Sequence, residues 1–138
     1  MKICYPALLT HTVAGVFRIQ FVDLLEAFSD GDTPEQALHK AADALTLAIE
    51  HRITTGVIVP APTQDIASAY YIAPDAKTQS ALLLSYARGE RTFSELARAL
   101  ETSWPQARRL EDPTHWPSLK TLDRVARVLG KRLVLSME

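Results

Sequence analysis

The C-terminal third of this chain contains three closely spaced helix starts. Thr92, Ser103 and Ser118 are each good N-cap residues, and apolar residues follow them at helical spacing. The pattern predicts three short helices, over about residues 92–100, 103–110 and 118–129. Helices of this length are not stable alone, so they must pack against one another. The sequence therefore predicts a compact all-α unit.

The second of these helices is predicted to expose a polar surface. Its inward positions are Ala107 and Leu110, which leaves the remaining side chains outside. A short helix held by its neighbour, with long polar side chains projecting, is suited to reading the major groove of DNA. The candidate DNA-binding residues are Ser103, Trp104, Gln106, Arg108 and Arg109.

The order of motifs across these helices resembles the phage-repressor (Cro/cI) type of helix-turn-helix. The matching blocks are L-A-x-x-L, a turn, S-x-x-x-x-R-L-E and then P-S-L-x-T-L-x-R-V-A-x-x-L-G. Two positions depart from the pattern: Glu101 stands where the turn usually has glycine, and Pro105 replaces a polar residue that often reads a base. Arg109 is therefore the best candidate for a base contact. Trp116 and Leu119 are expected in the core.

The N-terminal half reads as strands followed by a long helix. Strands are predicted over residues 2–10, 15–22 and 70–72, a short one over 27–32, helices over 33–56 and 74–87, and a terminal strand over 131–137. Proline within the first strand, at Pro6, implies a free edge or a bulge. The expected fold class is α+β, with domains at residues 1–88 and 89–138.

Composition limits the function further. Residues 1–72 hold four basic and eight acidic side chains, whereas residues 91–132 hold nine basic and five acidic ones, which points to different partners for the two halves. Cys4 is the only cysteine, and the N-terminus lacks a signal-peptide layout, so a cytoplasmic protein is expected. The first strand has no acidic residue and no nucleophile motif occurs. Neither an enzyme nor a bound metal or cofactor is therefore expected.

The N-terminal half also resembles the HicB-type antitoxins. The matching blocks are Y-P-A from Tyr5, F-V-D-L from Phe21, and G-D-T-x-E-x-A from Gly31. The resemblance implies a partial ribonuclease H-like fold that binds and blocks a small, basic, mRNA-cleaving toxin of the HicA type. The acidic balance of this half suits such a partner. The candidate toxin contacts are Asp23, Glu26, Asp30 and Asp32.

Three hypotheses for the whole chain stay open. In the first, an antitoxin masks its toxin and represses their shared promoter. In the second, a stand-alone repressor senses a small ligand through its N-terminal half. In the third, that half is a dimerisation scaffold only, with neither a partner nor a ligand. All of them imply a homodimer or higher homo-oligomer on operator DNA, because one short helix reads too few base pairs. Pairing of residues 131–137 across a two-fold axis is a hypothesis for that dimer.

Overall fold

The computed structural model describes residues 1–138 as two compact units, Met1–Gln79 and Ser80–Glu138. The strands are β1 (Tyr5–His11), β2 (Phe17–Phe21), β3 (Phe28–Gly31) and β4 (Tyr70–Ile72). The helices are α1 (Pro34–Thr55), α2 (Ala76–Arg88), α3 (Phe93–Ala99), α4 (Trp104–Arg109) and α5 (Leu119–Val128). The predicted α+β class and the order of these elements are confirmed. None of the five helices has the combination of length and hydrophobicity needed to cross a lipid bilayer.

In the first unit, an antiparallel sheet of order β3-β2-β1-β4 carries α1 on one face. Ala7 pairs with Phe21 and Leu9 with Ile19, so these side chains share a face. Ile19 and Phe21 are fully buried. The apolar stripe predicted for α1 is buried at Ala37, Ala41, Leu45, Ala48 and Ile49. The alternation of β2 and the helical period of α1 thus meet in one core.

Pro6 lies in a central strand, so the expected free edge is wrong. Its carbonyl accepts a hydrogen bond from the Val22 amide, which shows that the backbone of Pro6 faces β2. The β1–β2 ladder ends at the pairing of Ala7 with Phe21. The missing N–H of proline faces the same neighbour, so the Pro6–Val22 pair keeps one of its two possible hydrogen bonds, at the end of the β1–β2 ladder.

The junction of β3 and α1 explains the G-D-T-x-E-x-A block. A Cβ atom on Gly31 would lie 2.6 Å from the Ala37 backbone nitrogen, so only glycine permits this close approach. The Thr33 hydroxyl accepts a bond from the Gln36 amide, and the Gln36 side chain accepts one from the Asp32 amide. This is a capping box shifted by one residue. The block therefore caps the N-terminus of α1 and lets that helix pack closely against the edge strand β3.

The second unit is built from the end of α2 and from α3 to α5. Its core contains Leu84, Leu96, Ala97, Leu100, Ala107, Leu110, Val125 and Leu129. Leu84 and Ala87 of α2 belong to this packing, and the second unit begins at Ser80. The three short helices expected from their caps are confirmed, and each N-cap hydroxyl accepts the predicted backbone bond.

The turn between α3 and α4 has the left-handed residue that the sequence pattern requires. Glu101 occupies it with φ of 55°. The Thr102 amide donates to the Ala97 carbonyl and the Glu101 amide to the Arg98 carbonyl, which is a Schellman motif without glycine. Arg124 of α5 donates to the Leu100 carbonyl at 2.6 Å. The turn is therefore closed by its own backbone and by one side chain from a neighbouring helix.

Three expectations for this unit are wrong. Trp116 and Leu119 are exposed by 65% and 62%, rather than buried. Both lie at or before the first turn of α5, beyond the edge of a core that α5 enters only at Leu122 and Val125. Residues 131–138 form no strand, because no strand of the same chain lies in this unit to pair with them.

Candidate functional sites

The first candidate site is the exposed side of α4. This helix has only six residues and depends on its cap and its packing. The Ser103 hydroxyl accepts the Gln106 amide at 3.3 Å, and Pro105 fits the first turn because no helical partner exists there for an N–H group. Ala107 is fully buried and Leu110 nearly so. The cap and these two contacts fix the orientation of the helix.

Four of the predicted side chains project from α4 into solvent, namely Trp104, Gln106, Arg108 and Arg109. The Arg108 guanidinium lies 5.7 Å from the centre of the Trp104 ring. Trp104 in turn meets Phe93 edge-on, with ring centroids 5.9 Å apart. The exposed surface therefore combines two cations, one amide and one indole on a helix whose other side is buried. This chemistry suits phosphates and base edges.

An ion pair that sequence reasoning missed anchors this helix. Arg88 forms two bonds to the Glu111 carboxylate, at 2.5 and 3.0 Å, and both side chains are mostly buried. The bonds to Glu111 raise the pKa of Arg88. Arg88 also donates to the Arg91 carbonyl and stacks on Phe93. The pair therefore ties α2 and the start of α3 to the end of α4. In the sequence, the only sign of this pair is the R-L-E string that ends with Glu111.

Three of the four acidic candidates in the first unit already have partners in the same chain. Asp23 accepts the backbone amide and the hydroxyl of Thr63. Glu26 forms a bidentate pair with Arg52, and Asp30 forms one with Arg18. Hydrogen bonds from the two arginines lower the pKa of each carboxyl group. These acids hold loops and strands together, whatever else they contact.

Asp32 is the exception among these four acids. It is exposed, and only its backbone amide is engaged, in the bond to Gln36. It directly follows β3, which is an edge strand of the sheet. Asp30 lies on the same strand, so the two carboxylates belong to one end of the sheet edge. Asp23 and Glu26 are positioned separately, by Thr63 and Arg52. Of the four predicted toxin contacts, the structure therefore brings only Asp30 and Asp32 together, at the end of β3.

The titratable residues form no metal site, since no group of three His, Cys, Asp or Glu side chains could hold an ion. Tyr5 of the Y-P-A block is fully buried and donates its hydroxyl to the Pro60 carbonyl at 2.7 Å. That block therefore has a structural role, because it secures the segment that leads from α1 to β4.

Comparison with known proteins identifies the class. The model of the HicB-like antitoxins of bacterial toxin–antitoxin systems matches residues 4–74, which lie within the first unit. Antitoxin HicB of Escherichia coli K12 is 30% identical over 135 residues, covering 96% of this chain and 98% of its own length. Antitoxin HicB 2 of Photorhabdus laumondii is 32% identical over 132 residues, covering 95% of this chain and 94% of its own. Antitoxin HicB of Pseudomonas fluorescens is 27% identical over 135 residues.

The matches to the three relatives run through both units, so the similarity is not confined to the sheet. The protein is an antitoxin of the toxin–antitoxin class. The chain belongs to the HicB-like family.

Proposed function

We propose that this antitoxin binds and neutralises a HicA-type, mRNA-cleaving toxin through residues 1–88 and represses its own operon through residues 89–138. Family membership along nearly the whole chain carries the first part. The sheet with α1 is then the partial ribonuclease H-like domain. Its excess of acid over base, eight against four in residues 1–72, suits a basic partner.

The toxin-binding surface is assigned to the acidic residues Asp23, Glu26, Asp30 and Asp32, with Asp32 as the leading contact. Its carboxylate is exposed and engages no other residue, so forming a new ion pair breaks no existing one. Co-expression of this chain in a host with a HicA-type toxin tests the neutralisation. Restored growth supports neutralisation, and continued growth arrest with the antitoxin abundant and soluble contradicts it.

The DNA-binding surface is assigned to α4, as the recognition helix of a helix-turn-helix. The supporting observation is that Gln106, Arg108 and Arg109 all project from a helix fixed by Ala107 and Leu110. The tight turn at Glu101 and the α3–α4 packing agree with this motif. Ser103 and Trp104 lie at the N-terminal end of α4, which would point toward the DNA.

Arg109→Ala tests the DNA assignment. We expect specific binding to the operator to weaken by about 1–3 kcal/mol, because arginine pairs bidentately with guanine. The matched control is Arg127→Ala, which removes the same charge from an exposed side chain of α5 that pairs with Asp123. Fluorescence anisotropy with operator and random duplexes measures both. Wild-type operator affinity in Arg109→Ala contradicts the assignment.

A further inference from the structure

Three large aliphatic side chains of the first unit remain in solvent. Leu25, in the turn between β2 and β3, is exposed by 73%, and Val57 and Ile58, which follow α1, are exposed by 53% and 82%. The Arg52 guanidinium connects the two segments, since it donates two bonds to the Glu26 carboxylate and one, at 2.9 Å, to the Ile58 carbonyl. Each aliphatic residue is therefore bound by Arg52 or next in sequence to a residue that Arg52 binds, and the three are here called the aliphatic patch.

The backbone that carries the aliphatic patch is fixed by hydrogen bonds. The Gln20 side-chain amide donates to the Leu25 carbonyl at 2.9 Å and to two neighbouring carbonyls at 3.1 Å. The Val57 amide donates to the Arg52 carbonyl at 2.8 Å, at the C-terminal end of α1. Isolated exposed apolar side chains are normal, but several on one surface mark an interaction site. A fixed backbone also lowers the conformational entropy that binding costs, so the patch is preorganised for a partner.

The charges around the aliphatic patch indicate which partner it fits. Arg52 is neutralised by Glu26, because both carboxylate oxygens bond its guanidinium. Asp23 lies two residues before Leu25 and accepts its hydrogen bonds from Thr63, which is neutral, so its negative charge has no counter-charge in this contact. The patch is thus apolar at its centre and acidic at its rim. Such a surface attracts a basic partner, whereas two copies of it would bring charges of the same sign together.

We propose that the aliphatic patch is the apolar centre of the toxin interface and packs against an apolar surface of the small basic toxin. The fully buried part of an interface is apolar and its rim is polar, as the patch and its surroundings are. The strand that separates the patch from Asp32, β3, is only four residues or about 13 Å long. One interface of ordinary size, about 800 Å² on each partner, can therefore include both. The patch has this role only if the chain binds a HicA-type toxin, as the proposed function requires.

Calorimetric titration of a purified HicA-type toxin into the full chain tests the patch. Leu25→Ser and Ile58→Ser should each weaken toxin binding about tenfold or more, because each removes an aliphatic side chain that the interface buries. The matched control is Leu47→Ser. Leu47 is exposed by 67% on α1 and lies about 140° round that helix from Arg52, so its replacement should leave the affinity for the toxin near that of the wild type.

Folding and oligomeric state are measured on the same variants. Both substitutions in the patch keep the backbone carbonyls that bond Gln20 and Arg52, so thermal unfolding should occur at the wild-type temperature. Light scattering should give the same mass for the variants as for the wild type. A lower mass in the patch variants would mean that a second copy covers the patch, and would overturn the proposal.

The titration separates the patch from the toxin binding on which it depends. If the wild type binds the toxin and both patch variants bind it equally well, the patch is not a contact, while neutralisation stands. An equal loss of affinity in Leu47→Ser would likewise overturn the patch as the centre of the interface. If the wild type binds no HicA-type toxin, the proposed function is contradicted, and the patch assignment with it.

Chemical protection locates the contact independently of affinity. In a Cys4→Ser background, Ile58→Cys and Leu47→Cys each place one thiol at an exposed position. A saturating concentration of toxin should slow maleimide labelling of Ile58→Cys several-fold and leave Leu47→Cys unaffected, as followed by the intact mass of the antitoxin chain. Labelling of Ile58→Cys at the same rate with and without toxin would overturn the proposal.

Discussion

Glu101 offers a direct way to test the backbone geometry of the α3–α4 turn. Its φ of 55° is a left-handed conformation that disfavours any residue with a Cβ atom. Glycine at this position removes a strain of about 1–2 kcal/mol. It also adds conformational freedom to the unfolded chain, which offsets about 0.5–1 kcal/mol. We therefore expect Glu101→Gly to raise the free energy of unfolding by about 0.5–1 kcal/mol.

Thermal and urea unfolding measure this change. The expected rise in Tm is about 2–6 °C for a unit of this size. The matched control is Glu95→Gly, which makes the same replacement inside α3 and should lower the stability by about 1 kcal/mol. Opposite signs for the two variants support the left-handed turn. If Glu101→Gly destabilises the protein as much as Glu95→Gly does, the reasoning from φ is refuted.

Two further changes probe the anchor of α4 and the acidic edge. Glu111→Gln should lower the unfolding free energy by about 2–4 kcal/mol, because it leaves the Arg88 charge mostly buried without a counter-charge. The control is Asp123→Asn, which breaks the exposed pair with Arg127 and should lower the unfolding free energy by less than about 0.5 kcal/mol. Urea unfolding measures both variants. Equal losses of unfolding free energy would contradict a stabilising role for the buried Arg88–Glu111 pair. Asp32→Lys should weaken toxin binding about tenfold or more by calorimetry. Asp43→Lys makes the same change on the exposed surface of α1 and should weaken toxin binding less. If Asp43→Lys weakens toxin binding more than Asp32→Lys does, the toxin contact is not at the end of β3.

Local signals predicted the elements of this fold well. The caps at Thr92, Ser103 and Ser118 and the stripe of α1 are determined by neighbours in sequence, and the structure has helices at all four places. The exposed and buried sides of α4 followed from the same periodicity. The position of Pro6 could not be predicted, because it depends on where β2 ends and on β4, which pairs from more than sixty residues away along the chain.

The candidate sites were less predictable, because exposure and pairing depend on distant residues. Asp23, Glu26 and Asp30 look equally available in the sequence, but Thr63, Arg52 and Arg18 occupy them. Trp116 was assigned to the core by its hydrophobicity, yet the core does not extend beyond α5 on that side. The Arg88–Glu111 pair joins residues 23 positions apart and has no periodic signal.

The proposed function requires the chain to bind a small basic toxin in the cell. Affinity purification of the tagged chain from its native cell, at moderate salt, followed by intact-mass analysis, tests this binding. A small basic protein should co-purify in fixed ratio and should dissociate as the salt concentration rises, because complementary charge contributes to the contact. If only DNA or nothing accompanies the chain in cells that express a HicA-type toxin, the proposed toxin binding is contradicted.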